Sequence, residues 1–222
     1  MSTSRSRLDE EDDPADALAR ARQEVPEAAD LLNALAQLAE RPVPVDVVRT
    51  AADGAPGEYG DAVGPGSAED NLSALEGIGV VRRAGGGIVL PEAMSRALRD
   101  GLVRPVAASA AEAARRFLEA WREQLEAGTG DEDRDWDAVA AHALALAKRM
   151  PEAGRPPDPA LGVGTRAAGR LQDRSRPAEA ERLLGRLQEA ADRAPHLEEP
   201  FVLAALADQR AGLLAELQRG DE

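Results

Sequence analysis

The sequence has no cysteine, one lysine (Lys148), two histidines and only 2% aromatic residues. Without cysteine there is no disulfide framework and no thiolate metal site, so burial of aliphatic side chains must hold the fold together. A reducing compartment suits that usage. No run approaches the roughly 20 apolar residues of a membrane span, and the stretch MSTSRSRLDEEDDP has no apolar core of a signal peptide. A soluble, cytoplasmic protein with no membrane association is expected. The formal charge of −14 repels phosphate backbones, so nucleic acid is not the expected partner. Positive charge is almost all arginine, which together with abundant alanine points to a GC-rich bacterial coding sequence.

What is present is a chain of 222 residues, 43% apolar, rich in Leu, Ala and Val, enough for one or two helical cores. Residues 1–25 are acidic, and up to about Asp16 they lack periodicity; a disordered tail is predicted there. Ala28, Leu31, Leu32, Leu35, Leu38 and Ala39 then form an apolar stripe of helical period, stopped by Arg41-Pro42. A second short helix is predicted over Asp46 to Asp53, and the Gly/Pro-rich run Gly54 to Gly66 breaks the chain. Ser67 opens a third helix with Leu72, Leu75 and Ile78 inward. Val80-Val81-Arg82-Arg83 and Ile88-Val89-Leu90 flank Ala84-Gly85-Gly86-Gly87, the pattern of a hairpin. Pro91 starts a fourth helix carrying Met94, Ala97, Leu98 and Leu102. Three helices, a hairpin and a helix are in winged-helix order, giving a first domain over 26–105.

A helical linker is expected over 106–159. Ala107 to Ala127 has one apolar face, Gly128 to Asp137 (GTGDEDRDWD) reads as a polar loop, Asp137 to Met150 resumes as helix, and Pro151 to Pro159 is a proline-rich connector. Residues 160–222 read as a helical hairpin plus a terminal helix: Ala160 to Leu171, a turn at Asp173 to Arg176, Pro177 to Arg193, and Glu198 to Arg219. Against the tetratricopeptide pattern, Ala167-Ala168, Leu171, Ala180 and Leu184 fall on the small and large positions, while Gly164 stands where tryptophan belongs. The fold class expected is mainly α, a winged helix followed by a tetratricopeptide-like array.

Catalytic and metal chemistry find no foothold. Asp131, Asp133 and Asp135 begin like a calcium loop, but Trp136 takes the glycine place and His142 the closing glutamate place. His142 and His196 have no partner at zinc-ligand spacing, and His142 reads as a packed or hydrogen-bonded helix residue. Gly162, Gly164 and Gly169 do not make a dinucleotide fingerprint, and no serine sits in a nucleophile elbow. Arg219-Gly220-Asp221, an adhesion tripeptide by letter, ends a helix. No catalytic, cofactor-binding or metal site is expected, and the chain is not read as an enzyme.

AADLLNALAQLAERPVPVDVV (Ala28 to Val48), DWDAVAAHALALAKRM (Asp135 to Met150) and AAGRLQDRSRPAEAERLLGRLQEA (Ala167 to Ala190), in this order, resemble the region after the nucleotide-binding core of bacterial NB-ARC-type (STAND) signalling ATPases. The resemblance implies a winged helix, a helical linker and tetratricopeptide repeats over about residues 26 to 222, and it matches His142 to a histidine common in that linker. The chain departs from the family in having no Walker A loop. At the place of the family's phosphate-sensing histidine it has Pro91, in Leu90-Pro91-Glu92, which has no N–H to donate. A regulatory module acting in trans with a signalling ATPase is the expectation that follows.

Two functions are set against each other. One is a non-catalytic protein-interaction or regulatory scaffold, whose candidate partner contacts are the hairpin's polar side chains Arg170, Gln172, Arg174, Arg182 and Arg186. The alternative is a DNA-binding transcriptional regulator, with Ser67 to Gly77 as recognition helix and Arg82 and Arg83 in the wing. Glu69, Asp70 and Glu76 on that helix, with no lysine or arginine beside them, favour the first.

Overall fold

A computed structural model describes residues 13–53, 67–128, 132–193 and 200–220. Ten α-helices and one small sheet are found among them, in the order α1 (Pro14–Glu24), a 3₁₀ turn (Pro26–Ala28), α2 (Ala29–Leu35), β1 (Val43–Pro44), α3 (Val45–Asp53), α4 (Ser67–Ile78), β2 (Arg82–Ala84), β3 (Gly87–Val89), α5 (Glu92–Gly101), α6 (Arg104–Glu126), α7 (Glu132–Arg149), α8 (Asp158–Asp173), α9 (Pro177–Ala191) and α10 (Pro200–Gly220). The protein is mainly helical, and no described helix is long and apolar enough to cross a membrane. The expected break at 54–66 and His196 lie outside the described residues.

The disordered tail expected over residues 1–25 is corrected from Asp13 onward. Asp13 accepts the N–H of Ala15 at 3.0 Å as N-cap, Pro14 takes the first helical position, and α1 follows. Ala17, Leu18 and Ala21 are buried where α1 meets α4 and α5. Their spacing is a short apolar stripe submerged in charged neighbours, so composition hid the periodicity. Residues 1–12 lie outside the described region.

The apolar stripe from Ala28 to Ala39 does not make one helix either. α2 ends at Leu35, and Gln37 and Leu38 donate to Ala34 and Leu35, the tighter i→i−3 spacing, at 3.0 Å each. Leu38 stays buried although the helix has ended, because the turn carries it inward. The expected hairpin is also wider than the sequence indicated: β1, unforeseen, pairs with β3 to give the antiparallel order β1-β3-β2. Pro44, which cannot donate to a ladder, is tolerated because β1 is an edge strand. Gly87 belongs to β3 rather than to the turn, which is left to Gly85 and Gly86 at φ 58° and 82°. A Cβ at Gly87 would lie 2.5 Å from the Val43 carbonyl oxygen, so glycine is what lets β1 approach.

From α6 onward consecutive helices pack on one another, and α8 also touches α6 and α10 while α9 touches α7. α6 covers α2 and α3 as well, and the buried side chains form one continuous cluster from Ala17 to Leu213. The polar loop expected up to Asp137 is corrected at its end: α7 begins at Glu132, and Trp136 is 2% exposed, a core residue rather than a loop residue. Gly164, the misfit to the tetratricopeptide pattern, has its own packing reason. A Cβ there would meet Leu187 Cδ1 at 2.7 Å, so its absence sets the closeness of α8 and α9.

Between α8 and α9 the chain makes a Schellman turn, with Arg176 N–H donating to Leu171 O at 3.0 Å and Ser175 N–H to Gln172 O at 2.9 Å. Ser175 holds φ 59°, a left-handed position that glycine occupies without steric cost. Ser175→Gly is expected to raise stability by about 0.5–1 kcal/mol. An unchanged or lower denaturant midpoint at constant m-value would contradict that expectation.

Candidate functional site

The early end of α2 strands several carbonyls, and two later helices satisfy them. Arg99 of α5 donates to Ala36 O at 2.9 Å; Arg149 of α7 donates to the same oxygen at 3.1 Å and to Leu38 O at 2.5 Å. Arg99 also pairs with Glu92 at 2.9 Å. Burial and the neighbouring Arg99 draw the Arg149 guanidinium down to about 10, so it remains charged at neutral pH.

Two helical turns before Arg149, His142 is fully buried in the same seam. Its Nδ1 accepts the Ala39 N–H at 3.1 Å and its Nε2 faces Pro42 O at 3.5 Å, so these partners assign the proton to Nε2. Trp121 closes the pocket with ring centroids 5.7 Å apart. Burial pushes the His142 pKa down to about 4, with Arg41 and Arg149 adding to the effect and the Pro42 carbonyl opposing it. His142 is the hydrogen-bonded helix residue that its setting in the sequence indicated. Its neutral ring fastens α7 to the turn after α2.

The hairpin arginines are occupied. Arg83 holds Glu69 at 2.5 Å and Glu76 at 3.0 Å, both on α4, and Arg82 holds Glu40 at 3.2 Å. The carboxylates beside Arg83 raise its pKa further above the usual guanidinium value. Arg83 is thus engaged by the acidic α4, and Arg82 by Glu40 in the segment after α2.

The five residues proposed from sequence for partner contact are not brought together. Arg170 and Gln172 line an open cleft of about 490 Å³, which Gly162, Thr165 and Gln209 also border. Arg170 lies over Trp136, its guanidinium carbon 5.8 Å from the ring centroid. Arg182 and Arg186, on α9, line a separate groove of about 660 Å³ together with Arg41, Asp137, Leu144 and Arg210. Arg174, half-buried at the end of α8, borders neither. Arg41, Arg176 and Arg210 were missed in the sequence because only the tertiary fold carries them to the α7–α9 groove. Within it, Arg176 pairs with Asp137 at 2.9 Å and Glu179 at 2.7 Å, and Arg210 with Glu181 at 3.1 Å.

Among the described residues no three acidic or histidine side chains gather as a metal site. Asp131 lies outside those residues, and the rest of the calcium-like stretch from Glu132 is helix. No protein-family model, no curated protein and no solved structure matches this chain.

Proposed function

We propose that the protein is a non-catalytic interaction or regulatory scaffold module, in which a winged-helix unit carries a tetratricopeptide-like helical array that binds another protein. The observation that carries this reading is the pair of open grooves, one on the array and one where the array meets α7 and Arg41, each edged by long polar side chains over small residues. A helix order of α2, α3, α4, then β2–β3, then α5, with β1 added to the sheet, supports the winged-helix part. The partner proposed is a protein, and a signalling ATPase supplied in trans is the specific expectation. Affinity capture with the full chain from extracts of its own cells tests this. Stoichiometric recovery of one partner is expected, and a folded chain that recovers none would end the proposal.

DNA binding is the second reading, and it fares worse. A recognition helix docks by presenting cations to phosphate. Here α4 presents exposed Glu69 and Asp70, and Arg83 beside it is engaged by Glu69 and Glu76. No electrophoretic shift of duplex DNA is expected even at about 50 mM salt, where counterion release favours binding most. A shift that weakens steeply with added salt would revive the alternative.

A further inference from the structure

The α7–α9 groove is lined by five arginines, Arg41, Arg176, Arg182, Arg186 and Arg210, against four carboxylates, in a chain whose net charge is −14. Its acidic side chains are mostly committed within the groove: Asp137 and Glu179 to Arg176, and Glu181 to Arg210. Arg41, Arg182 and Arg186 are exposed and make no ion pair among the described residues; Arg182 donates only to the Ala178 carbonyl, at 3.2 Å. Lys148 stands beside Arg186 and Arg193, with Glu189 opposite, and its pKa is lowered by burial and by those two arginines. The apolar part of the groove's lining is formed by Ala140, Ala141, Leu144, Leu171 and Leu183. The groove is open, unlike the enclosed pockets that hold small molecules. Arg182 and Arg186 are one helical turn apart, about 6 Å along α9, close to the spacing of alternate residues in an extended chain, roughly 6.6 Å.

We propose that this groove binds an acidic, leucine-bearing segment of a partner protein, whose carboxylates pair with Arg41, Arg182 and Arg186 while its aliphatic side chains lie against Leu144 and Leu183. The proposal rests on the interaction reading above and fixes its face and its chemistry. The clamp spans both halves of the protein, since Arg41 follows α2 whereas Arg182 and Arg186 belong to the array. A bound segment therefore bridges the same seam that His142 and Arg149 hold closed.

The test uses the full chain and fluorescence anisotropy of three labelled peptides of about ten residues, long enough to follow the groove. In the first, Asp and Glu alternate with Leu; in the second, Asn and Gln replace the acids; in the third, Ser replaces Leu. The first is expected to bind, losing about tenfold between roughly 50 and 300 mM salt as screening takes hold. Arg182→Glu/Arg186→Glu is expected to weaken it by about tenfold or more, and Arg41→Glu by several-fold. Arg22→Glu/Arg49→Glu, the same change of net charge at exposed sites on α1 and α3, is expected to stay within about twofold. Circular dichroism melts establish that each variant is folded. Absence of binding at about 1 mM, the weak end of specific recognition, overturns the proposal. Equal loss in the two double variants, or equal binding of the neutral or leucine-free peptide, overturns it as well. Partner capture that survives Arg182→Glu/Arg186→Glu keeps the interaction reading and removes this groove from it. Failure of capture by folded protein removes the reading itself, independently of the peptide result.

Discussion

Arg149→Met lowers the unfolding free energy by about 2–3 kcal/mol, the cost of losing charge-assisted bonds and leaving a carbonyl unsatisfied. Arg149 serves two carbonyls; Ala36 O keeps Arg99 after the change, but Leu38 O has no other side-chain donor among the described residues. The neighbouring Arg99 works in the opposite direction, because removing one of two adjacent cations relieves some repulsion. That relief keeps the loss below the sum of two charged hydrogen bonds. Arg122→Met is the comparison. Arg122 pairs with Glu126 at 2.6 Å on one helix face, and losing such an i,i+4 pair costs about 0.3–0.5 kcal/mol. Denaturant unfolding of both variants checks the contrast; equal losses would mean that Arg149 is a surface charge in effect and that the seam is held by apolar contact alone.

The second large effect is a loss of stability in mild acid. His142 has a folded pKa of about 4 against an ordinary value of 6.5, so between these values the unfolded chain binds the proton and the folded chain does not. The contribution is complete above pH 6.5 and is lost progressively as pH falls toward about 4. Over that interval it amounts to about 3 kcal/mol, from roughly 1.4 kcal/mol per pH unit for one proton. Protonation at Nδ1 also removes the acceptor that Ala39 N–H uses. In His142→Gln the stability at pH 7 is lower, and the decline between pH 6.5 and 4 is shallower by about that amount. Parallel pH profiles for the two proteins would show that the folded chain binds the His142 proton as readily as the unfolded one, so that the ring is not held neutral by burial.

Much of the helical half could be read from sequence because single faces carry long apolar stripes. Phe117, Leu118, Trp121 and Leu125 on α6 and Leu183, Leu184 and Leu187 on α9 are all buried, as their period requires. α1 was illegible for the opposite reason: three small or single apolar positions among Asp, Glu and Arg give no composition signal until α4 and α5 are there to cover them. β1 is two residues long and includes a proline, so no propensity argument finds it; it exists because Gly87 lets Val43 come close. Acidic neighbours dominate the sequence window around Trp136 and give it the look of a loop, whereas in the structure its ring is buried within α7. The candidate contacts fared by the same logic. Arg182 and Arg186 share a face by helical spacing, while Arg41 joins them only through folding, some 140 positions away in sequence by the numbering.

The two halves are thus held as one body by the seam at Ala36, Leu38, Ala39 and Pro42, with the N-terminal portion proposed as a platform and the C-terminal helices as the binding surface. Photo-crosslinking in the protein's own cells tests that division of labour most directly, with a photoreactive residue placed in turn at 166, 186, 73 and 49. If the array is the interaction surface, positions 186 or 166 yield a discrete adduct with one protein, and positions 73 on α4 and 49 on α3 yield none. An adduct with DNA from position 73, or no adduct from either array position in folded protein, would contradict it.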